Sequence, residues 1–462
     1  MAILNKYMFR EYDIRGRETE QELNPRSVEL IAKAYGTFLR KRNVRIAVVG
    51  HDNRGTSEDF YAAAVRGLVS AGIRVIGIGT ALTPMMYWAQ YYFQSEGGLM
   101  VTASHNPAGW NGVKLALGYS YTLMREELLE IYEIIERESF STGVGTFEQK
   151  DIFTQWRTDL LSRVKLVRPL RIVLNTGNGT AGLFTPQLLR EFGCEVVEQN
   201  TEPDSTYPHY VPNPANVEMM EDLGRRVVEA GADIGIAIDA DGDRLGVCDE
   251  RGGLVWPDRW LVLLARQVLS VRPGAAIVFD VKCSEALRED VIAHGGAPVM
   301  AATGHAYMKQ KMKEVGAVFA GEQSGHVYIG DGYYGYDDAS FAALRVLEFI
   351  AAHSVSVSQL LADIPQYVTT PAYHMAASDE RKYEIVKQIA AEFKQEGYRM
   401  DELSGARVYM DEGWGLIRAS SNTPQIEVRF ESKTQRGLEY IESVFRQKIA
   451  QFSEVGTEWG SS

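Results

Sequence analysis

The sequence predicts an α/β protein of three related mixed α/β domains followed by a smaller C-terminal α+β domain. Short β-branched runs alternate with stretches of helical period, the rhythm of parallel sheets covered by helices. That rhythm recurs three times, each time ending in a loop crowded with polar residues, and it stops near Pro371. The length, 462 residues, suits about three domains with a spread of one.

The first repeat reads RIAVVG (Arg45 to Gly50), IRVIGIG (Ile73 to Gly79) and GLMVTASHNP (Gly98 to Pro107). The second reads RIVLN (Arg171 to Asn175), CEVVE (Cys194 to Glu198) and DIGIAIDADGDR (Asp233 to Arg244). The third reads AAIVFDV (Ala275 to Val281), APVMAATGH (Ala297 to His305) and AVFAGEQSGH (Ala317 to His326). Ligands in open α/β sheets bind beyond the carboxyl ends of strands, which marks the three polar loops as candidate parts of one cleft. The final segment has a charged helical stretch (Ser378 to Glu396), then LIRASSNTPQIEVRFES, then a second helix (Thr434 to Phe452). The expected domains are 1–150, 151–252, 253–368 and 369–462, with no low-complexity linker between them.

Hydrophobic residues at 45% and charged residues at 24% are ordinary globular values. Lys and Arg number 48 against 61 Asp and Glu, a net charge of −13, which argues against a broad surface for nucleic acid. A small anionic ligand remains open if basic groups gather locally. The start has no apolar core of signal-peptide length and no apolar run spans a bilayer, so a cytoplasmic protein without a membrane partner is expected. Cys194, Cys248 and Cys283 are odd in number and lack CxxC spacing, which reads as buried reduced thiols.

Three loops carry chemistry. Gly177, Gly179 and Gly182 form GxGxxG after a strand, with Glu198 ending the next one, much of a dinucleotide-binding fingerprint. The alternative is a tight turn whose small residues permit close packing. Asp239, Asp241 and Asp243 place three mutually repelling carboxylates within five residues, a pattern usually held together by a divalent cation. An EF-hand fails, because Arg244 stands where the loop needs Gly and a strand precedes it. An Asp239 nucleophile with Asp241 as acid/base stays open at this point. TASHNP sets Ser104 beside His105, but no GxSxG elbow surrounds the serine, which disfavours a hydrolase triad.

Taken together, FREYDIRG, TASHNP with NGVKL, DADGDR, FDVKCS, TGH, GEQSGH and RASSNTP resemble the α-D-phosphohexomutase family over nearly the whole chain, most of all its bacterial phosphomannomutase/phosphoglucomutase group. The resemblance implies a four-domain, heart-shaped molecule, monomer or dimer, acting on a small phosphosugar. It also implies Ser104 as a phosphoserine, and Mg²⁺ held by Asp239, Asp241, Asp243 and the Ser104 phosphoryl group. Lys114 matches the acid/base, Arg15 and Arg244 lie near the transferring phosphate, and His105 belongs to the same loop. Substrate contacts are implied for Tyr12, Lys282, His305, Glu322, Ser324 and His326. Arg418, Ser420, Ser421, Asn422 and Thr423 form the implied phosphate socket. A hexose 1,6-bisphosphate is the implied activator, and its turn between two transfers calls for a hinge near residue 368. Gln323 also occurs in phosphoglucosamine mutases, the nearest alternative, whereas RASSNTP resembles the RASNTTP type and not RxSGTEP. From other classes, an NAD-dependent dehydrogenase and a noncatalytic sugar-phosphate sensor remain as rivals.

Overall fold

A computed structural model describes residues 4–421 and 423–461. The chain forms two compact units, Met1–Pro257 with Ser324–Leu360, and Asp258–Gln323 with Leu361–Ser462.

In the first unit, helix α1 (Pro25–Lys41) starts where Asn24 and Ser27 cap each other reciprocally and Pro25 supplies a preset φ. Strand β1 (Ile14–Arg17) precedes it; β2 (Ile46–His51), helix α2 (Ser57–Ser70), β3 (Arg74–Thr80), helix α3 (Thr83–Tyr92), β4 (Gly97–Val101), β5 (Trp110–Leu117) and β6 (Thr146–Gln149) follow. The sheet order is β1, β5, β4, β2, β3, β6, with the short strand Tyr121–Thr122 on β5. Ile31, Phe38, Phe60, Leu99 and Val113 lie in one buried cluster between α1, α2 and this sheet. A second sheet contains β7 (Arg171–Asn175), β8 (Glu195–Gln199), β9 (Ile234–Ile238), β10 (Leu245–Cys248) and β11 (Leu254–Val255), in the order β11, β10, β9, β7, β8. Helix α4 (Thr185–Phe192) and helix α5 (Val217–Ala230) accompany it.

The second unit begins with helix α6 (Pro257–Val271) and the strands β12 (Ala276–Asp280), β13 (Ala297–Ala301) and β14 (Phe319–Gly321), interleaved with helices α7 (Glu285–Ala293) and α8 (His305–Val315). Its later part is the antiparallel set β15 (Tyr373–Ala376), β16 (Arg399–Asp401), β17 (Ala406–Met410), β18 (Gly413–Ala419) and β19 (Gln425–Ser432), with helices α9 (Lys382–Gln395) and α10 (Gln435–Ile449). Ile389, Phe393, Val428, Phe430 and Phe445 are fully buried where these helices meet the sheet. Each such side chain contributes about 1.5–3 kcal/mol on burial.

The threefold repeat is real in hydrogen-bond topology. In every copy the first strand lies between the other two and runs parallel to both: β2 with β3 and β4, β7 with β8 and β9, β12 with β13 and β14. The C-terminal segment lacks that rhythm because its strands pair antiparallel as neighbours. All three cysteines are free and buried. Among the described residues, no helix is long and apolar enough to cross a membrane.

The hinge expected near residue 368 is not a free connection. Val368 and Thr369 already pair with β19. Across the same join, the buried Arg407 donates to the carbonyls of Val281 and Cys283 at 2.8 Å each. Arg429 donates to the carbonyl of Lys282 at 2.5 Å and pairs with Asp258 at 3.2 Å. Trp414 and Leu416 pack on Val281 beside them.

The glycine-rich loop after β7 yields a stability test. A Cβ on Gly182 would stand 1.7 Å from the carbonyl oxygen of Thr201, a backbone atom that cannot step aside. Gly182→Ala is expected to destabilise the first unit by about 2 kcal/mol or more, as overpacking does. Thermal unfolding followed by circular dichroism should show a lower midpoint.

Candidate active site

Ser104 follows β4 on a buried turn with φ +49°, a left-handed conformation that costs a non-glycine residue roughly 1–2 kcal/mol. Its amide donates to Thr102 Oγ1 at 2.8 Å, which fixes the turn from within. The hydroxyl donates to Asp239 Oδ2 at 3.2 Å and lies 3.1 Å from His105 Nδ1. Burial and the nearby positive charges of Arg244, Arg15 and Lys114 push the His105 imidazole well below its usual range, so it stays neutral. Arg15 Nη1 donates to the carbonyl of Ala103 at 2.5 Å and to Asn106 Oδ1 at 2.7 Å, while Nη2 pairs with Asp13 at 2.8 Å.

The aspartate loop follows β9, as the repeat requires. Asp239 Oδ1 accepts three backbone amides, from Gly242, Asp243 and Arg244, at 3.0–3.1 Å. Thr83, the first residue of α3, donates its amide to the Asp241 carbonyl at 2.9 Å and its hydroxyl to Asp241 Oδ2 at 2.6 Å. Lys114, on β5, donates to Asp243 Oδ2 at 2.5 Å and stands 3.2 Å from Asp241 Oδ2. Burial, with Asp243 and Asp241 nearby, raises the Asp239 pKa well above the carboxylate range. Burial pushes Asp241 the same way, but Lys114, the Thr83 hydroxyl and Arg15 more than offset it and hold it low. Burial also lowers Lys114, and Asp241 and Asp243 overcome that and keep its ammonium charged.

One oxygen from each of Asp239, Asp241 and Asp243 lies within 4.8 Å of the others. Asp241 Oδ1 and Asp243 Oδ1 are buried and accept no hydrogen bond among the described residues. Orphaned anionic oxygens in a donor set made only of oxygen fit a hard divalent cation.

His326 joins this cluster. Its Nε2 accepts from Arg244 Nε at 3.0 Å, and its Nδ1 lies 3.1 Å from Asp337 Oδ2. Tyr12 is buried in the same unit, as is the Ser324 hydroxyl, which makes no hydrogen bond among the described residues.

The remaining expected residues fall in the second unit, where they form two groups. Glu322 Oε2 accepts the amide of Gly304, just ahead of His305 at the start of α8, at 2.8 Å. Asp280 ties the neighbouring loops together, accepting from Thr303 Oγ1 at 2.8 Å and from the Gln323 amide at 3.0 Å. In the other group Glu427 accepts from Arg418 Nη1 at 2.6 Å and lies 3.7 Å from Lys282 Nζ. Burial raises its pKa, but Lys282 and Arg418 outweigh burial and hold it low. Arg418 Nη2 reaches Ser421 Oγ at 3.4 Å, and the Ser420 and Thr423 hydroxyls are 2.9 Å apart. Asn422 lies outside the described residues.

Residues 6–142, 153–253 and 256–367 match the family models for α/β/α domains I, II and III of phosphoglucomutase/phosphomannomutase. A protein of Pseudomonas aeruginosa named phosphomannomutase/phosphoglucomutase is 36% identical over 442 residues, 96% of this chain and 95% of the relative. The chain belongs to the phosphoglucomutase/phosphomannomutase family. A phosphoglucomutase of Neisseria gonorrhoeae is 35% identical over 97% of this chain and 98% of its own length. A crystal structure of a phosphoglucomutase/phosphomannomutase family protein from Burkholderia thailandensis superposes with a TM-score of 0.90 at 34% identity, covering 97% of this chain and 98% of that one.

The GxGxxG loop has a packing role in this family member. Its amides are spent inside the chain: Asn178 on Asn200, Gly179 on Thr176, Thr180 on Ala240 and Gly182 on Gly179. A Cβ on Gly179 would stand 2.7 Å from Ala240 Cα, so this glycine admits the loop carrying the aspartates. Sequence reasoning missed Arg54, Thr83, Asp280, Asp337, Lys382 and Glu427. Lys382, buried at the start of α9, donates to the carbonyls of Ser420 and Thr423 at 2.6 and 2.9 Å and so shapes the terminal loop. The alternating charges of QIEVRFES were the one signal for Glu427.

The neutral state of His105 is directly measurable. Its imidazole signals in two-dimensional NMR are expected not to titrate between pH 8 and about 6, whereas an unperturbed histidine has its midpoint near 6.5.

Proposed function

We propose that this chain interconverts hexose 1-phosphates and hexose 6-phosphates, of glucose and mannose, through a phosphorylated Ser104 and a hexose 1,6-bisphosphate that also serves as activator. The observation that carries the reading is the buried Ser104 hydroxyl on its left-handed turn, 3.2 Å from Asp239 and beside the oxygen-only aspartate set. Relatives at 35–36% identity bearing phosphomannomutase and phosphoglucomutase names support the substrate class. Residues 1–150 then carry the phosphoryl group, 151–252 the cation, 253–368 the sugar contacts and 369–462 the contact to the phosphate that is not reacting.

Asp239, Asp241 and Asp243 would hold Mg²⁺, which when bound draws negative charge from a phosphoryl oxygen. In the transfer, a sugar hydroxyl attacks phosphorus, the bond from phosphorus to Ser104 Oγ breaks, the hydroxyl proton passes to Lys114, and a proton is taken up at Ser104 Oγ, which leaves as the free hydroxyl. Lys114 is charged while Asp241 and Asp243 are its partners. When those carboxylates are engaged elsewhere, the attraction that raises its pKa weakens. Burial, the largest influence on it, then brings it toward a range where it exchanges protons. Neutral His105 holds the serine hydroxyl, and Arg15 and Arg244 concentrate positive charge at the loop. Glu322 suits two vicinal sugar hydroxyls, with Ser324, His326, Tyr12, Lys282 and His305 as further contacts. Arg418, Ser420, Ser421, Asn422 and Thr423 offer a guanidinium fork and hydroxyls to the idle phosphate. The bisphosphate turns and returns its other phosphoryl group to Ser104.

Incubation with glucose 1,6-bisphosphate is expected to add about 80 Da, one phosphoryl group, at Ser104, read by intact mass and peptide mapping. Ser104→Ala should lose the added mass and nearly all turnover while still binding substrate. Phosphate mapped to Asp239 and released by hydroxylamine, or full turnover in Ser104→Ala, would overturn the reading.

A further inference from the structure

Arg54 lies between β2 and α2 and is buried, yet nothing in the chemistry above uses it. Its guanidinium is committed to one loop. Nη2 donates to the carbonyls of Ser104 and Asn106 at 2.6 Å each, and Nη1 donates to those of Pro107 and Trp110 at 3.0 Å each. The group is itself held in place. Nε stands 3.2 Å from Asp52 Oδ2, and Asp52 Oδ1 accepts from the Arg54 amide at 3.0 Å and from the Ser57 hydroxyl at 2.5 Å. The Tyr207 ring covers the guanidinium with its centroid 5.3 Å away.

Four carbonyls turned toward one cation form a specific geometry. Carbonyls of residues 104 to 110 converge only if the loop keeps its present path, and that path includes the left-handed Ser104. Arg15 grips Ala103 and Asn106 of the same loop, so the serine is bracketed by two guanidinium groups. A planar fork serves four acceptors at fixed angles, whereas the point charge of a lysine has three donors on a flexible stem and cannot. We propose that Arg54 is a positioning residue for phosphoryl transfer: it fixes the backbone of the 104–110 loop so that Ser104 Oγ faces Asp239, without touching substrate. The inference rests on Ser104 as the phosphoryl carrier.

The test uses full-length wild type, Arg54→Lys, Arg54→Ala and Ser104→Ala with Mg²⁺. It reads kcat and KM for glucose 1-phosphate, the rate of Ser104 phosphorylation by glucose 1,6-bisphosphate, and folded fraction by circular dichroism. Misplacing a reacting group by about 1 Å costs roughly 100-fold, so kcat and the phosphorylation rate of Arg54→Lys are expected to fall by about that factor. KM should stay within about twofold, as expected when only transition-state geometry is lost. Millimolar guanidinium, against an ammonium salt control, should restore Arg54→Ala at least in part and leave wild type unimproved. Normal kcat and normal Ser104 phosphorylation in Arg54→Lys would overturn the inference alone. So would activity that falls only in step with folded fraction and shows no guanidinium rescue. Full turnover in Ser104→Ala would instead overturn the reading on which it rests.

Discussion

Three carboxylates buried within five residues cannot stand without a cation, and the ammonium of Lys114 is the cation the fold supplies. At about 3.2 Å and an effective dielectric of about 20, one such contact is worth roughly 5 kcal/mol of attraction. Desolvating each ion costs several kcal/mol, so the cluster is near balance and is poor evidence for stability. Its geometry is nonetheless over-determined. Thr83 at the head of α3 grips Asp241, three amides grip Asp239, and β5 delivers Lys114 from the other side. Polar groups so well anchored, with two oxygens left unbonded, are organised for a ligand and not for the fold.

The same logic orders the serine loop. Its left-handed Ser104 is strained, and the strain is held by the buried Arg15 and Arg54; the charge of Arg15, with that of Arg244, also lowers the pKa of His105. A neutral imidazole next to the hydroxyl, a charged lysine on the aspartates and an array of arginines together bias the pocket toward an anionic group while its own carboxylates remain compensated. In the second unit the arrangement recurs in milder form, with Glu427 compensated by Arg418 and Lys282.

Much of this was legible in the sequence. Short, nearly continuous β-branched runs located the strands because each repeat buries both faces of its central strand, and the third-strand loops stood out because strand ends are where polar residues gather. What was not legible depends on partners distant in the chain. Arg54 and Thr83 are unremarkable as letters; their meaning comes from carbonyls and carboxylates 50 or more residues away. The alternation Glu427, Arg429, Glu431 looks like a wet sheet face, yet all three are buried because they meet Arg418, Asp258 and the Glu285 amide within the unit. The glycine fingerprint misleads for a related reason: close backbone approach demands glycine whether the neighbour is a pyrophosphate or, as with Gly182, the Thr201 carbonyl.

The aspartates are kept for a cation at a cost to the fold, and Asp239→Asn separates the two effects. An asparagine can still accept the three amides through Oδ1 but removes a charge that burial and its neighbours already disfavour. Thermal unfolding in chelator and in Mg²⁺ gives the answer in one experiment, since a ligand that binds the folded state raises its midpoint. The variant should melt in chelator at or above the wild-type temperature and lose most of the Mg²⁺-induced rise. A variant that melts lower in chelator yet keeps the full Mg²⁺-induced rise would contradict this, showing that Asp239 serves the fold and not the cation.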